Sequence, residues 1–255
     1  MHKNEEIYLD PEKTQRYIGG DRRTEDQFEK SLSEILDGNS FSNLSVLDTG
    51  CAAGGLYNVL NSRYSGVLYT GIDLDPRCIE FAQQTYEGAN FIVGSFLENN
   101  FKDASFDVVF LWGWSYMVPE WKKLFLEATR VASRYVVFDN RLRFSGSTVV
   151  DLDLSYQYYY LTGKRNHYII HNYYELTAFL QIAEHKLKKI ECKAFRMPQP
   201  TSAVLPLALE EVNVGVFVLT KMSELENAIY ERTGVTEVSA NSEKIAISLS
   251  MNNDK

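Results

Sequence analysis

Carboxylates dominate the groups in this chain that could do chemistry, and the first is oddly placed. Asp48 stands two residues before Gly50 in the run VLDTGCAAGG, residues 46–55. A glycine-rich turn after a strand ordinarily receives phosphate, because its backbone N–H groups and the following helix N-terminus attract anions. A carboxylate at Asp48 would repel such a group and attract an ammonium or sulfonium instead. The spacing agrees: dinucleotide turns place glycines two and then three apart, whereas Gly50 and Gly54 are four apart. Asp73, in GIDLD, ends the next apolar run and could accept hydrogen bonds from both hydroxyls of a ribose. Its rival role, capping a helix, is better filled by Asp75 just before Pro76. Farther along, Asp139, His167 and Tyr116 are candidates to take a proton from a reacting group. Tyr116 is the weakest base of the three, at an ordinary pKa of about 10. His167 is placed slightly ahead of Asp139.

The elements that must position these groups alternate. Strands are expected over 44–48, 67–74, 90–93, 106–111 and 135–138. Helices are expected over 54–62, 76–86 and 121–131, from apolar spacing and stop signals. Such β-α-β-α order indicates a parallel sheet covered on both faces. An earlier helix follows from Phe28, Leu32, Ile35 and Leu36, with Gly38 as its stop, after a GGD turn at 19–21. Residues 140–171 show no clear helix or buried strand, and a loop that long inside a domain is usually functional. Asn172 and Glu175 then read as a capping box before a helix with Leu176, Phe179, Leu180 and Ala183 on one face. Strands over 187–194 and 212–219 follow, the second apolar on both faces as a central strand requires. A second capping box, Ser223 and Glu226, precedes a short helix, and KIAISLSM reads as an edge strand. The domain division is therefore 1–39 as an N-terminal cap segment, 40–221 as the main domain with the insertion 140–171, and 222–255 as a C-terminal extension.

Composition narrows the partners. The chain has 255 residues, 45% hydrophobic and 24% charged, as in an ordinary globular protein. Its three cysteines form no CxxC pair and have no histidine at metal-ligand spacing, which speaks against a disulfide framework or structural zinc and for a reducing, cytoplasmic compartment. The N-terminus MHKNEEIYLD lacks the apolar run of a signal peptide, and no stretch is long and apolar enough to span a membrane. A net charge of −8 argues against a large nucleic-acid footprint. A small-molecule substrate is expected, with a homodimer as the assembly to consider.

Together D-x-G-x-x-x-G, the later GIDLD and the strand FDVVFLWG resemble the class I S-adenosylmethionine-dependent methyltransferases. That cofactor carries an ammonium, a sulfonium and no phosphate, so Asp48 ceases to be a contradiction. The resemblance implies a Rossmann-like α/β fold, a seven-stranded, mostly parallel sheet with an antiparallel last strand and helices on both faces. It also implies cofactor contacts from Asp48, Gly50, Cys51 and Gly54 around the methionine portion, with Asp48 near its ammonium. Asp73 would hold the ribose and Leu74 would lie beside adenine. Gly94, Ser95 and Phe96 follow the third strand, where many members carry an Asp facing the adenine amino group. Here Ser95 stands instead, and Phe96 either covers the ring or belongs to the core. Trp112 and Gly113, ending the fourth strand, would lie near the methyl donor.

The acceptor is read from what is missing and from the insertion. WGWS replaces the [ND]PP[YF]-type motif of nucleic-acid amino-methyltransferases. The pair Asp139–Asn140 resembles the metal ligands of catechol-type enzymes, but Trp112 stands where those need another acid, so no metal is expected. The insertion holds Arg141, Arg143, Lys164, Arg165, His167 and His171 against Asp151 and Asp153. This basic excess suggests an anionic metabolite, phosphorylated, nucleotide-linked or carboxylated, bound by Arg141, Arg143 and His171, with tyrosines as walls. A solvated loop whose tyrosines pack on the sheet explains the same residues. The order of segments is similar to that of methyltransferases of bacterial surface-polysaccharide and sugar-modifying pathways. O-methylation is expected ahead of N-methylation. A nicotinamide-dependent oxidoreductase and a non-catalytic partner subunit are the alternatives.

Overall fold

The computed structural model describes residues 18, 34, 40–159, 163–183, 186–198, 203–205, 211–224, 226–228 and 246–252. The expected helix at 26–37 and the GGD turn lie outside the described residues, apart from position 34. The first half alternates as its apolar runs require. In order come β1 (Ser45–Thr49), α1 (Gly55–Arg63), β2 (Leu68–Asp73), α2 (Pro76–Thr85), β3 (Asn90–Val93), β4 (Phe106–Leu111), α3 (Trp121–Val131) and β5 (Ala132–Arg143). Asp75 caps α2 as expected: its carboxylate accepts from the Arg77 N–H at 3.0 Å, with Pro76 at the first helical position. The second half adds β6 (Tyr156–Tyr159), β7 (Lys164–His167), β8 (Ile170–Asn172), α4 (Tyr173–Ala183), β9 (Leu187–Pro198), β10 (Ala203–Val204), β11 (Glu211–Lys221) and β12 (Ala246–Asn252).

The main sheet runs β12-β9-β11-β5-β4-β1-β2-β3, with β8 beside the end of β5. β1, β2, β3, β4 and β5 are parallel, whereas β11 lies antiparallel between β5 and β9. This is the class I methyltransferase arrangement expected from sequence. β12 lies parallel to β9 at one end of the sheet, so KIAISLSM does supply an edge strand. Strand alternation divides the core into two layers. Leu47, Val109, Val136 and Phe138 pack with α3 and α4, while Val46, Val108, Phe110 and Val137 pack with α1 and α2.

The segment 140–171 is not a loop. β5 continues through Arg143, because Asn140 to Leu142 pair with Asn213 to Gly215 of β11 and Arg141 finds its counter-ion, Asp139, inside the protein. Beyond it β6 and β7 form an antiparallel hairpin, and β10 joins β6 to make a second, three-stranded sheet. Tyrosine-rich runs suit strands, being broad, half-buried and polar-tipped. This small sheet packs through Tyr168 and Ala203 on Tyr116 and Met117, which follow β4, and so roofs the carboxyl edge near β4 and β5. The Asn172 box is half formed. Its Oδ1 accepts from the N–H groups of Tyr174 and Glu175, but the Glu175 carboxylate turns to the Thr148 N–H. The Ser223–Glu226 box is reciprocal.

Candidate active site

Four connections meet at the carboxyl edge of the parallel strands, those after β1, β2, β3 and β4. The turn after β1 needs its glycines. Gly50 has φ +65° and Gly54 φ +79°, conformations that burden any residue with a Cβ. The N–H groups of Gly50 and Cys51 both bond the Ile72 carbonyl, at 2.8 and 3.2 Å, which holds the turn against the end of β2. Cys51 contributes backbone alone, since its side chain is buried in the α1/α2 layer.

Asp73 completes that junction. One carboxylate oxygen accepts from the Ala52 N–H at 2.8 Å, the other from the Asp75 N–H at 2.9 Å. A carboxylate offers about four acceptor positions, more than these two N–H groups occupy. Burial, the largest cause, raises the Asp73 pKa, and the two N–H groups oppose it. The Gly94 N–H bonds the Asp73 carbonyl at 2.9 Å, setting Gly94 and half-buried Ser95 alongside Leu74. Phe96 resolves to one of its two readings: it is buried in the α3/α4 layer with Ile72 and Val118, and is core.

Asp48 does not face the crevice. Alternation turns it to the side of Val46, and it is wholly buried, accepting from the Tyr69 hydroxyl at 2.5 Å. Its carboxyl group lies in the α1/α2 layer with Tyr69, so the expected direct contact with a ligand ammonium is not made in this placement. Trp112 is likewise buried, packed in the α1/α2 layer. Gly113 is the open point of the β4 edge: at φ +82°, a side chain there would meet nothing within 4 Å. Its N–H donates to Asp139 at 2.6 Å.

Asp139 and Arg141 form a buried ion pair on β5, Nη1 to Oδ2 at 2.9 Å. The Arg141 Nε donates to the Tyr168 hydroxyl at 3.1 Å, and its guanidinium lies 4.0 Å from the centre of the Tyr116 ring. Burial pushes the Asp139 pKa up, opposed chiefly by Arg141; burial also works against the Arg141 charge, and the surrounding Tyr116, Tyr168 and Asp139 outweigh it, so its pKa stays raised. The structure thus brings Asp139, Arg141 and Tyr116 together. His167 stands apart. Asn166 and Tyr168 point inward, and His167, between them on the strand, points to the other face with its Nδ1 on the Val150 carbonyl at 2.8 Å. Arg143 spends its guanidinium on the carbonyls of Ser145 and Ser147 in its own loop. His171 is wholly buried with its ring edge-on to Trp121, centroids 4.9 Å apart, and neither ring nitrogen has a hydrogen-bond partner among the described residues. Burial lowers its pKa to about 3. As placed, His167, Arg143 and His171 do not face the crevice, and Arg141 is already neutralised by Asp139. The basic excess of the insertion is further reduced by the pair Arg165–Asp153 at 3.2 Å. No group of three or more potential metal-ligating His, Cys, Asp or Glu occurs among the described residues.

Two participants escaped the sequence reading, Tyr69 beside Asp48 and Trp114, while Tyr168, expected as a wall of the insertion, instead accepts from Arg141. The Trp114 indole N–H donates to the Thr49 carbonyl at 2.6 Å, and a side-chain carbon at Gly50 would lie 2.8 Å from the ring. Simple alternation would send Trp112 and Trp114 the same way. The positive φ of Gly113 breaks it and swings Trp114 over the glycine turn.

With this geometry the comparisons with known proteins agree. Residues 46–134 match the family described as a methyltransferase domain. A probable phthiotriol/phenolphthiotriol dimycocerosates methyltransferase 2 of Mycobacterium ulcerans is 34% identical over 88 residues, 34% of this chain and 34% of that one. This chain thus aligns with about a third of that relative's length. The 1,6-didemethyltoxoflavin-N1-methyltransferase of Burkholderia thailandensis, solved with its substrate and S-adenosylhomocysteine, superposes with TM-score 0.57 at 18% identity, covering 86% of this chain and 89% of that one. A (4+2)-cyclase, SpnF, superposes with TM-score 0.59 at 13% identity, covering 86% and 96%. Likeness at these identities establishes the fold, and the cyclase shows that the fold alone does not fix the reaction.

Proposed function

We propose, for a chain that carries a methyltransferase domain at residues 46–134 and has the class I S-adenosylmethionine-dependent methyltransferase fold, that it methylates a small metabolite from S-adenosylmethionine. The observation that carries this reading is Asp73, which braces the glycine turn and keeps acceptor positions for ribose hydroxyls. The fit extends to the open backbone at Gly113, which leaves room for a ligand beside the β4 edge. A carboxyl group at Asp48, close to the turn in sequence, suits a cationic ligand end better than a phosphate. Bound there, the cofactor supplies an activated methyl group. What remains for the protein is to align the acceptor in a dry site and to take up its proton.

Oxygen is the favoured acceptor atom, because a hydroxyl benefits from a carboxylate base and Asp139 stands beside Gly113 at the edge. His167 yields this role, its Nδ1 being engaged by Val150 on the outer face of the hairpin. Arg141 serves as counter-ion to Asp139 rather than as a free anchor. The same pair supports a reaction without metal, since a guanidinium already sits at 2.9 Å where a cation would compete for the carboxylate. Acceptors with a phosphate or carboxylate come first in a screen, because basic residues outnumber acidic ones in the segment 140–171. The net charge of −8 speaks against nucleic acid as the partner, and light scattering tests the homodimer. The deciding experiment incubates the protein with methyl-labelled cofactor and metabolite pools. Label transferred to a low-molecular-weight product supports the proposal. Tight NADH binding without response to S-adenosylhomocysteine refutes it.

A further inference from the structure

We propose that Trp114 is a positioning residue of the cofactor site, clasping the glycine turn through its indole N–H and walling the ligand beside Gly50 with its ring; this rests on the cofactor reading above. Two contacts carry it. The indole N–H reaches across the sheet edge, from the connection after β4 to the Thr49 carbonyl at the end of β1, at 2.6 Å. The ring also covers Gly50 so closely that a Cβ would sit 2.8 Å from both Cδ1 and Nε1.

The placement has a physical logic. β1 and β4 are neighbours, with Thr49 opposite Leu111, but their ladder ends there. Beyond it the two connections diverge, and the Thr49 carbonyl would otherwise face the crevice without a strand partner. Trp114 supplies the missing donor. A large planar ring in that position also excludes water from the turn, which strengthens every polar contact made there. On its far side the indole packs against the layer of Tyr116 and Met117 under the three-stranded sheet. Trp114 therefore touches both the glycine turn and the base of the roof. A ligand seated at Gly50 would lie against it.

Intrinsic fluorescence and calorimetry with S-adenosylhomocysteine test this on the full chain. The three tryptophans differ in setting: Trp112 and Trp121 are buried, Trp114 half-buried. Ligand should change the emission of the wild type, and W114F should lose most of that change. W114F keeps a ring but not the N–H, so a neutral hydrogen bond is lost and affinity should fall about 2- to 12-fold. W114A removes the wall as well and should fall further. A bracing role confined to the fold would lower the melting temperature and leave ligand response and affinity alone. Wild-type binding with W114F and W114A both within twofold of it, or emission change surviving in W114F, would overturn this inference only. No binding by the wild type would overturn the cofactor reading with it.

Discussion

Asp73→Ala removes a carboxylate that has two tasks, and the two can be measured separately. In the protein its oxygens hold the Ala52 and Asp75 N–H groups at 2.8 and 2.9 Å. The remaining acceptor positions are the ones proposed to meet ribose. Hydrogen bonds to a charged group contribute about 1.5–3 kcal/mol, and each 1.4 kcal/mol is tenfold, so S-adenosylhomocysteine should bind about 10- to 150-fold more weakly. Loss of the Ala52 bond alone would loosen the turn and weaken any ligand, so the fall by itself does not identify a ribose contact. Calorimetry with the 2′-deoxy analogue does. The wild type should prefer the ribose form, whereas Asp73→Ala should bind the two forms alike. The raised pKa adds a check of sign: because protonation of Asp73 sets in at higher pH than for an ordinary Asp, the ribose preference should fade as pH drops through that range. A variant that keeps the full ribose preference, however much weaker its binding, would refute the contact and leave Asp73 as a brace of the glycine turn.

Asp139→Asn should lower turnover by about 100-fold or more with S-adenosylhomocysteine binding intact, while His167→Ala stays within a few-fold; steady-state kinetics beside calorimetry would decide between them. The same Asp139→Asn leaves Arg141 as a buried charge without its counter-ion, so denaturant unfolding should show a loss of about 3 kcal/mol or more. Activity on the eventual acceptor should survive excess EDTA, and complete loss restored by magnesium would make Asp139 and Asn140 ligands after all. His171, held neutral down to about pH 3, takes its proton in the unfolded chain first, so stability should decline as pH falls from about 6.5 toward 3. His171→Leu should flatten that decline in acid unfolding curves, and an unchanged slope would show that other groups set it.

The alternation of strands and helices through residue 131 was legible because each apolar run there has one period and one end signal. FDVVFL, for instance, is bounded on both sides and became β4 with the expected bounds. The pocket floor was legible for the same reason: glycine spacing and GIDLD describe backbone geometry, which is local. What lay beyond sequence reading was direction. Asp48 has the residue type of a ligand contact, but the parity of β1 turns it into the α1/α2 layer, and only the register with β2 places Tyr69 against it. His167 illustrates the same failure, since one step along β7 separates the inward face of the roof from the outward one. The polar pair Asn140–Arg141 reads as loop because a charge ordinarily needs water. Asp139 and Arg141 instead satisfy each other, and the strand continues.

The parallel pairing of β12 with β9 carries a consequence for how this sheet edge is protected. β9 is otherwise a twelve-residue strand with its outer row of amides and carbonyls exposed to any passing chain. Long edges of that kind are templates for self-association. Ala246–Asn252 occupies seven of those positions, from Lys189 to Phe195, with a segment that arrives from far along the sequence. Until it does, a nascent molecule presents a nearly finished sheet with one sticky margin. The tail then acts as a guard strand, and its late docking makes the interval between synthesis and closure the period in which partners of the wrong kind, including other copies, compete for the same backbone.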